Sequence, residues 1–389
     1  MAGIVVRPRA RIFHGHDWVF STEVLKVFGD PEPGDVISLK DGRDRMLGSA
    51  IYNPRSQIVA RRFSRRREKL DLEFFIRRIH QAHEVRKQWT LDRDPGRLVW
   101  SESDGMPGLI VDRYGSNLVI QTLTFAMDQR KDLIVQALDT LFSPTSIIER
   151  NDASVRRAEG MELETGVLKG EPPPRQNMSI AGMDCELELL SGQKTGFYLD
   201  QIDNYREVAL LAPGKRVLDC FSNQGAFAIA CAKNGAESVT AVEISEPLAA
   251  GIETNARLNH VSLTVRSKNV FDFLTEQVAK QEIYDLIILD PPSFTRSRET
   301  LESARRGYKE IHLRAIQLLA PQGLLVTFSC SHHISQSTLL DIVVDASVDA
   351  KRHLRRIKSL SQPLDHPILP HLPETEYLKG FIFQLLPGR

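Results

Sequence analysis

The sequence lacks the marks of several protein classes at once. No apolar run approaches the roughly 18–20 residues that span a bilayer. Cysteine is scarce: Cys185, Cys220, Cys231 and Cys330 are the four, and they show no paired spacing. That excludes a disulfide framework and a cysteine-rich zinc motif. There is no internal repeat and no low-complexity tract. The opening MAGIVVRPRARIF puts arginines where a secretion signal needs its apolar stretch. An excess of charge is missing too, since 50 Lys+Arg stand against 50 Asp+Glu. With 42% hydrophobic and 26% charged residues, disorder, collagen-like repeats and coiled-coil composition are also excluded. What remains is a soluble chain of a reducing, cytoplasmic compartment, and 389 residues suggest two or three domains. Taken whole, a net charge of zero argues against a nucleic-acid partner.

The zero is a sum over unlike parts. Residues 1–70 carry 14 Lys+Arg against 8 Asp+Glu, a net of +6 that the remainder must offset. Arg61, Arg62, Arg65, Arg66, Arg67 and Lys69 crowd into RRFSRRREK. Such a run is either a solvated edge or a phosphate-contacting patch, because guanidinium forks match phosphate oxygens.

Residues 1–70 read as short strands (IVVRP, WVFS, DVISL, MLGSAIYN, QIVARRF) broken by Pro31-Glu32-Pro33-Gly34-Asp35 and Asp41-Gly42, the pattern of a small β-barrel. Leu72, Phe75, Ile76, Ile79, Ala82 and Val85 then recur at helical spacing, predicting a helix from near Leu70. Mixed strands and helices follow, making residues 71–175 a central α+β domain that closes at Glu171-Pro172-Pro173-Pro174-Arg175. From 176 to 389, β-rich runs alternate with helices. The predicted strands are Arg216–Phe221, Ser238–Ile244, Leu263–Arg266, Tyr284–Asp290, Gly323–Cys330, His353–Leu360 and Phe381–Leu386. That alternation predicts an α/β, doubly wound sheet whose ligands bind beyond the strands' carboxyl ends.

The first of these strands runs into Ser222-Asn223-Gln224-Gly225, and the second carries Glu243 where a carboxylate can accept both ribose hydroxyls. A dinucleotide cradle would want G-x-G-x-x-G, but this turn has one glycine and sets Asp219 beside it. A carboxylate there repels phosphate, so a cationic, phosphate-free nucleoside such as S-adenosylmethionine fits better. The plain alternative is an ordinary strand–helix turn. Asn269 and Asp272 are candidates for an adenine site, and Asp272 is equally a candidate helix cap. Upstream, Lys194, Thr195, Phe197 and Tyr198 lie in a polar, aromatic, glycine-flanked stretch that suits either a lid or a capped loop.

Two strand ends carry candidate chemistry. Asp290-Pro291-Pro292, with Phe294 close behind, is a carboxylate on a stiffened backbone that can hold a planar base. Cys330 ends a neighbouring strand. A cysteine there is usually a buried small hydrophobe. Carbon 5 of a pyrimidine, however, becomes nucleophilic only after a thiolate has added to carbon 6, and that chemistry needs a cysteine. His332 and His333 either favour the thiolate or are polar loop residues. The base that takes the carbon-5 proton is not identifiable.

GQKTGFYLDQIDN, VLDCFSNQGAF, DPPSF, RRGYKEI, LLVTFSCS and HPILPHLPETEYLKGF together resemble the bacterial 23S rRNA cytosine-5 methyltransferases. GHDWVFSTEV is similar to the start of that family's RNA-binding PUA barrel, and GMPGLIVDRYG and RNDASVRRAEG resemble its central domain. The resemblance implies a PUA barrel, a small α+β domain and a class I (Rossmann-like) methyltransferase domain with a doubly wound, seven-stranded sheet. It implies S-adenosylmethionine as cofactor and large-subunit rRNA, or its precursor particle, as partner. Family members are often homodimers, which the sequence neither supports nor excludes. By position, Lys194, Thr195, Phe197 and Tyr198 would close over the cofactor. Asp219, Phe221, Ser222, Gln224 and Gly225 would surround its methionine part, Glu243 would take its ribose, and Asn269 and Asp272 its adenine. Asp290 would sit at methyl donor and base, with Cys330 as nucleophile. The double histidine is not a family feature. Rival readings are a guanine-nitrogen or exocyclic-amine methyltransferase, which needs no thiol, and a non-catalytic RNA-binding factor, which needs neither Glu243 nor Cys330.

Overall fold

The structure is a computed structural model that describes residues 2–90, 93–192, 194–295 and 300–387. It divides into two compact units. The first comprises residues 1–178 with two later returns of the chain, Leu187–Leu199 and Leu364–Thr375; the second comprises Ser179–Glu186, Asp200–Pro363 and Glu376–Arg389.

The first unit holds two sheets. One has six strands, ordered Trp18–Phe20, Ile58–Ser64, Met46–Tyr52, Val36–Lys40, Gly3–Val6 and Val24–Phe28. The sequence pattern anticipates five of the six. Val24–Phe28 escapes because it is an edge strand, bonded only to Gly3–Val6, with the middle three residues exposed, so it has no buried face to alternate. The other sheet has five strands, ordered Glu164–Gly170, Ser146–Asn151, Asn117–Thr122, Leu109–Tyr114 and Gly96–Trp100.

The expected helix runs over Leu72–Thr90 and buries Phe75, Ile79 and Ala82 as its spacing predicts. Val85 departs from that stripe and is exposed, while Arg86 beside it is buried. The reason is polar: the Arg86 guanidinium forks onto both Asp104 oxygens at 2.8 Å and also donates to the Arg97 and Asp365 carbonyls. Ile51 and Phe63 of the six-stranded sheet share one core with this helix and with Leu98, Val111 and Ile120 of the five-stranded sheet.

Buried ion pairs tie the unit's later returns to its early chain. Arg97 grips both Asp112 oxygens at 2.8 and 2.9 Å, and Asp112 also accepts from the Thr195 hydroxyl at 2.6 Å. The Arg97 amide donates to Asp365, and His16 Nε2 meets Glu374 at 3.2 Å.

The second unit is built on the expected seven-stranded sheet. Its strands are β1 (Arg216–Cys220), β2 (Ser238–Glu243), β3 (Thr264–Ser267), β4 (Tyr284–Leu289), β5 (Leu319–Ser329), β6 (Leu354–Ser361) and β7 (Lys379–Leu385). They are ordered β3-β2-β1-β4-β5-β7-β6, with β1 to β5 parallel and β7 antiparallel to both neighbours. The helices are α1 (Ile202–Ala209), α2 (Ala226–Lys233), α3 (Glu246–Leu258), α4 (Val270–Ala279), α5 (Leu301–Leu318) and α6 (Gln336–Asp349). Strands such as LIIL of β4 are apolar throughout because helices cover both faces. β5 starts four residues earlier than the sequence suggests: α5 ends at Leu318 and passes directly into the strand, where Leu319 and Ala320 are buried. The chain reverses between β1 and β4, the point where such sheets open a crevice.

Breaking the Arg97–Asp112 pair strands a buried guanidinium, which costs about 3–5 kcal/mol. Asp112→Ala is expected to lower the first unit's unfolding free energy in urea titration by that margin while leaving the second unit's transition in place. A loss below about 1 kcal/mol would mean that the pair carries no load.

Candidate active site

Parallel strands end together, so the residue that closes each strand is delivered to one edge of the sheet. At that edge the second unit collects Asp219 on β1, Glu243 at the end of β2, Asp290 just after β4 and Cys330 just after β5. The register sets them side by side, since Asp219 pairs with Ala241 and Ile288, and Leu289 pairs with Thr327.

The turn after β1 is held in an uncommon backbone conformation. Phe221 and Asn223 take φ of 62° and 52°, and Gly225 takes 82°. A Cβ on Gly225 would stand 2.8 Å from Ile252 Cγ2, so only glycine fits. Asp219 is buried and accepts from the Ser222 hydroxyl and from the Ala228 amide at the start of α2. Burial pushes its carboxyl up to about 7; the charges of Asp290 and Glu243 add to this, and the Ser222 and Ala228 hydrogen bonds oppose it. Glu243 is fixed by two backbone amides, Asn223 on one oxygen and Ser245 on the other, both at 2.9 Å.

Asn269 caps α4 by accepting from the Phe271 amide at 2.9 Å. Asp272, the residue suspected of that capping role, is exposed in the helix's first turn. Phe294, after the Asp-Pro-Pro loop, sits among aromatic rings, with centroids 4.7 Å from Tyr308, 5.9 Å from Phe271 and 6.2 Å from Phe221. Pro291 is buried and Pro292 exposed.

Sequence reasoning passed over several residues here. Gln201 donates to Asp290 Oδ2 at 2.9 Å and accepts from Asn204 at 2.6 Å. Both lie in the polar motif that leads into α1, which was the available signal. Tyr308 of α5 meets the Ser329 hydroxyl at 3.1 Å, one residue before Cys330. Lys379, the first residue of β7, donates to the Ser331 carbonyl at 2.6 Å, one residue after it. Only the fold brings these last two to Cys330.

The remaining candidates belong to the first unit. Thr195 and Phe197 are buried within it: the Thr195 hydroxyl donates to Asp112, and the Phe197 amide donates to Tyr114 Oη at 3.1 Å. Lys194 is exposed and lies over the Tyr198 ring, 4.2 Å from its centroid. The arginine run divides. Arg61 is turned inward, 2.8 Å from Glu102, 3.6 Å from Glu159 and stacked on Trp18. Arg62 is buried against Asp17 at 2.7 Å. Arg65, Arg66 and Arg67 are exposed.

The family described as S-adenosylmethionine-dependent methyltransferase matches residues 157–383, and the family described as PUA-like domain matches residues 7–65. The chain belongs to these methyltransferases. It is 39% identical over 380 residues to a protein of Yersinia pseudotuberculosis named Ribosomal RNA large subunit methyltransferase I, covering 95% of this chain and 96% of that one. A protein of the same name from Erwinia tasmaniensis is 37% identical over 378 residues, again covering 95% and 96%. Among solved structures, a SAM-dependent methyltransferase from Streptococcus mutans aligns with a TM-score of 0.85 at 22% identity, covering 99% and 100% of the two chains. A methyltransferase complexed with SAH aligns at 0.86 with the same identity and coverage.

The residues of this methyltransferase fit its cofactor. Asp219 Oδ1 and Gln224 Oε1 are buried oxygens with no hydrogen-bond partner, set in a turn where three carboxylates gather. A ligand that carries an ammonium, a sulfonium and hydroxyl donors satisfies both the orphaned acceptors and the charge.

Proposed function

We propose that this methyltransferase methylates carbon 5 of a cytosine in large-subunit rRNA, with Cys330 forming a transient bond to the base. The observation that carries the reading is the arrival of Cys330 and Asp290 at the ends of adjacent parallel strands, β5 and β4, at the cofactor edge of the sheet. The names of the relatives support rRNA as substrate. A methyltransferase acting on an amine or a ring nitrogen has no use for a thiol there.

In this reading Asp219, Ser222, Gln224 and Gly225 hold the methionine part of the cofactor, Glu243 takes the ribose hydroxyls, and Asn269 and Asp272 border the adenine. Phe221 flanks the methionine side. The assignment of Lys194, Thr195, Phe197 and Tyr198 to the cofactor rests on sequence resemblance. The bound cofactor supplies an electrophilic methyl group. Cys330 Sγ, as thiolate, adds to carbon 6 and makes carbon 5 electron-rich. Asp290, held by Gln201, accepts a hydrogen bond from the exocyclic amine, while Pro291, Pro292 and Phe294 give the base a stiff, apolar rest. Once carbon 5 carries the methyl group, it loses its proton to a base and Sγ departs with its electron pair, restoring the ring.

Mass mapping of large-subunit rRNA treated with the protein is expected to find 5-methylcytidine. A methylated ring nitrogen or exocyclic amine would overturn the reading. Cys330→Ala is expected to bind S-adenosylmethionine as tightly as the parent and to lose methyl transfer by roughly a thousandfold or more.

The raised Asp219 carboxyl gives the cofactor site a pH signature. Below about pH 7 the free protein holds a proton on Asp219 that a cationic ligand must displace. Affinity for S-adenosylmethionine is therefore expected to fall as pH drops from 8 to 6, approaching about tenfold for each unit below 7. Titration calorimetry with Asp219→Asn should show a flat profile; an unchanged slope would sink the assignment.

RNA contact is assigned to Arg65, Arg66 and Arg67, because Arg61 and Arg62 are spent internally. Replacing all three with Ala should weaken RNA binding and make its salt dependence shallower by up to about 3 in log–log slope. Cofactor affinity should not change. An unaltered slope would return the run to a solvated edge.

A further inference from the structure

We propose that Lys379 is the cation that holds Cys330 in its thiolate form. This rests on the reading of Cys330 as nucleophile but is tested without RNA. Lys379 opens β7 and pairs in register with Ser329 of β5 and Ser361 of β6. Its side chain is buried, and the ammonium donates to the Ser331 carbonyl. The strand register and this hydrogen bond thus bracket Cys330, one residue to each side.

A buried ammonium ordinarily sits against a carboxylate. Among the described residues, Lys379 has no ion-pair partner. Burial pulls its ammonium down to about 8, and the charges of Cys330 and Glu376 pull the other way. It therefore stays mostly protonated at neutral pH.

Other titratable groups flank this strand end. Tyr308, packed from α5, is pushed up by burial and by the charges of Cys330 and Asp290, so it stays neutral. Asp290 acts on Tyr308 and Glu376 on Lys379, and an anion close to a thiolate opposes it. On the loop after β5, the His332 ring stands 6.2 Å from Tyr377, whose hydroxyl donates to Asp200 at 2.8 Å. His333 follows on the same loop, part-buried. In the step itself the Cys330 thiol gives its proton to solvent, keeps the S–H electron pair on sulfur, and leaves the Lys379 ammonium unchanged. Lys379 acts through Cys330 and is a positioning residue.

The three other cysteines make the test clean. Cys185, Cys220 and Cys231 are buried, and burial pushes each thiol up, Cys185 to about 12. Iodoacetamide, with the modified peptide identified by mass, thus reads Cys330 in the full-length protein. The wild-type alkylation rate is expected to rise with a midpoint below the ordinary thiol value of about 8.5. Lys379→Met should move that midpoint up by about one unit, slowing alkylation at pH 7 about tenfold. Lys379→Arg, which keeps the charge, should stay within about threefold of the parent at pH 7. A wild-type midpoint at or above 8.5 overturns the proposal even if the Met variant does not fold. So does an unmoved midpoint in a Met variant that still binds S-adenosylmethionine. RNA containing 5-fluorocytosine separates this from the parent reading: an altered thiol midpoint with no covalent protein–RNA species in the wild type would retain Lys379's role and discard the cytosine adduct.

Discussion

Three carboxylates at the ends of neighbouring strands are the constraint around which the second unit is organised. Asp219, Glu243 and Asp290 are carried to one edge because β1, β2 and β4 run parallel and in register. The repulsion among them contributes to the high carboxyl value of Asp219. A fold can keep such a cluster only by fixing each member with neutral donors and leaving the charge for a ligand to answer. The donors are present: Ser222 and Ala228 for Asp219, two backbone amides for Glu243, and Gln201 for Asp290. None of these carries a full positive charge. The cationic cofactor of the family complements this arrangement in charge.

The same edge shows how far sequence reading reaches. The strand ends and the carboxylates on them were legible because they follow from local periodicity and from a resemblance that runs along most of the chain. The edge strand Val24–Phe28 was not legible, since it lacks the alternation by which a half-buried strand is recognised. Arg86 displaced Val85 from the buried stripe of its helix because Asp104 and two carbonyls lay ready for it, a partnership that spacing cannot express. The contacts of Lys379 and Gln201 were hidden for a related reason: their partners stand 48 and 89 residues away along the chain. Burial with a distant polar partner is a property of the fold.

The neutral total of the chain also takes on a physical sense. Many of the first unit's basic residues are consumed within it: Arg61 by Glu102, Arg62 by Asp17, Arg86 by Asp104, Arg97 by Asp112 and Arg156 by Asp128. Such pairs contribute little net stability over apolar packing, but they fix geometry, because a displaced partner leaves a buried charge exposed to a large penalty. They also explain why counting arginines in RRFSRRREK overstates what a polyanion could touch. A single run supplies two guanidiniums to the interior and three to the surface, and the division follows from the sheet: Arg61 and Arg62 lie within the strand Ile58–Ser64, while Arg65, Arg66 and Arg67 lie beyond its end.

Charge placement thus works in opposite ways in the two units. In the first, buried cations such as Arg86, Arg97 and Arg156 are paired with carboxylates of the same unit. In the second, like charges are collected at the strand ends, and a buried ammonium lies close to the one cysteine of the four that is not buried. Unmatched buried charge is costly and persists where something is to be bound or ionised. The edge of the second unit that gathers these carboxylates is also the edge that carries Cys330.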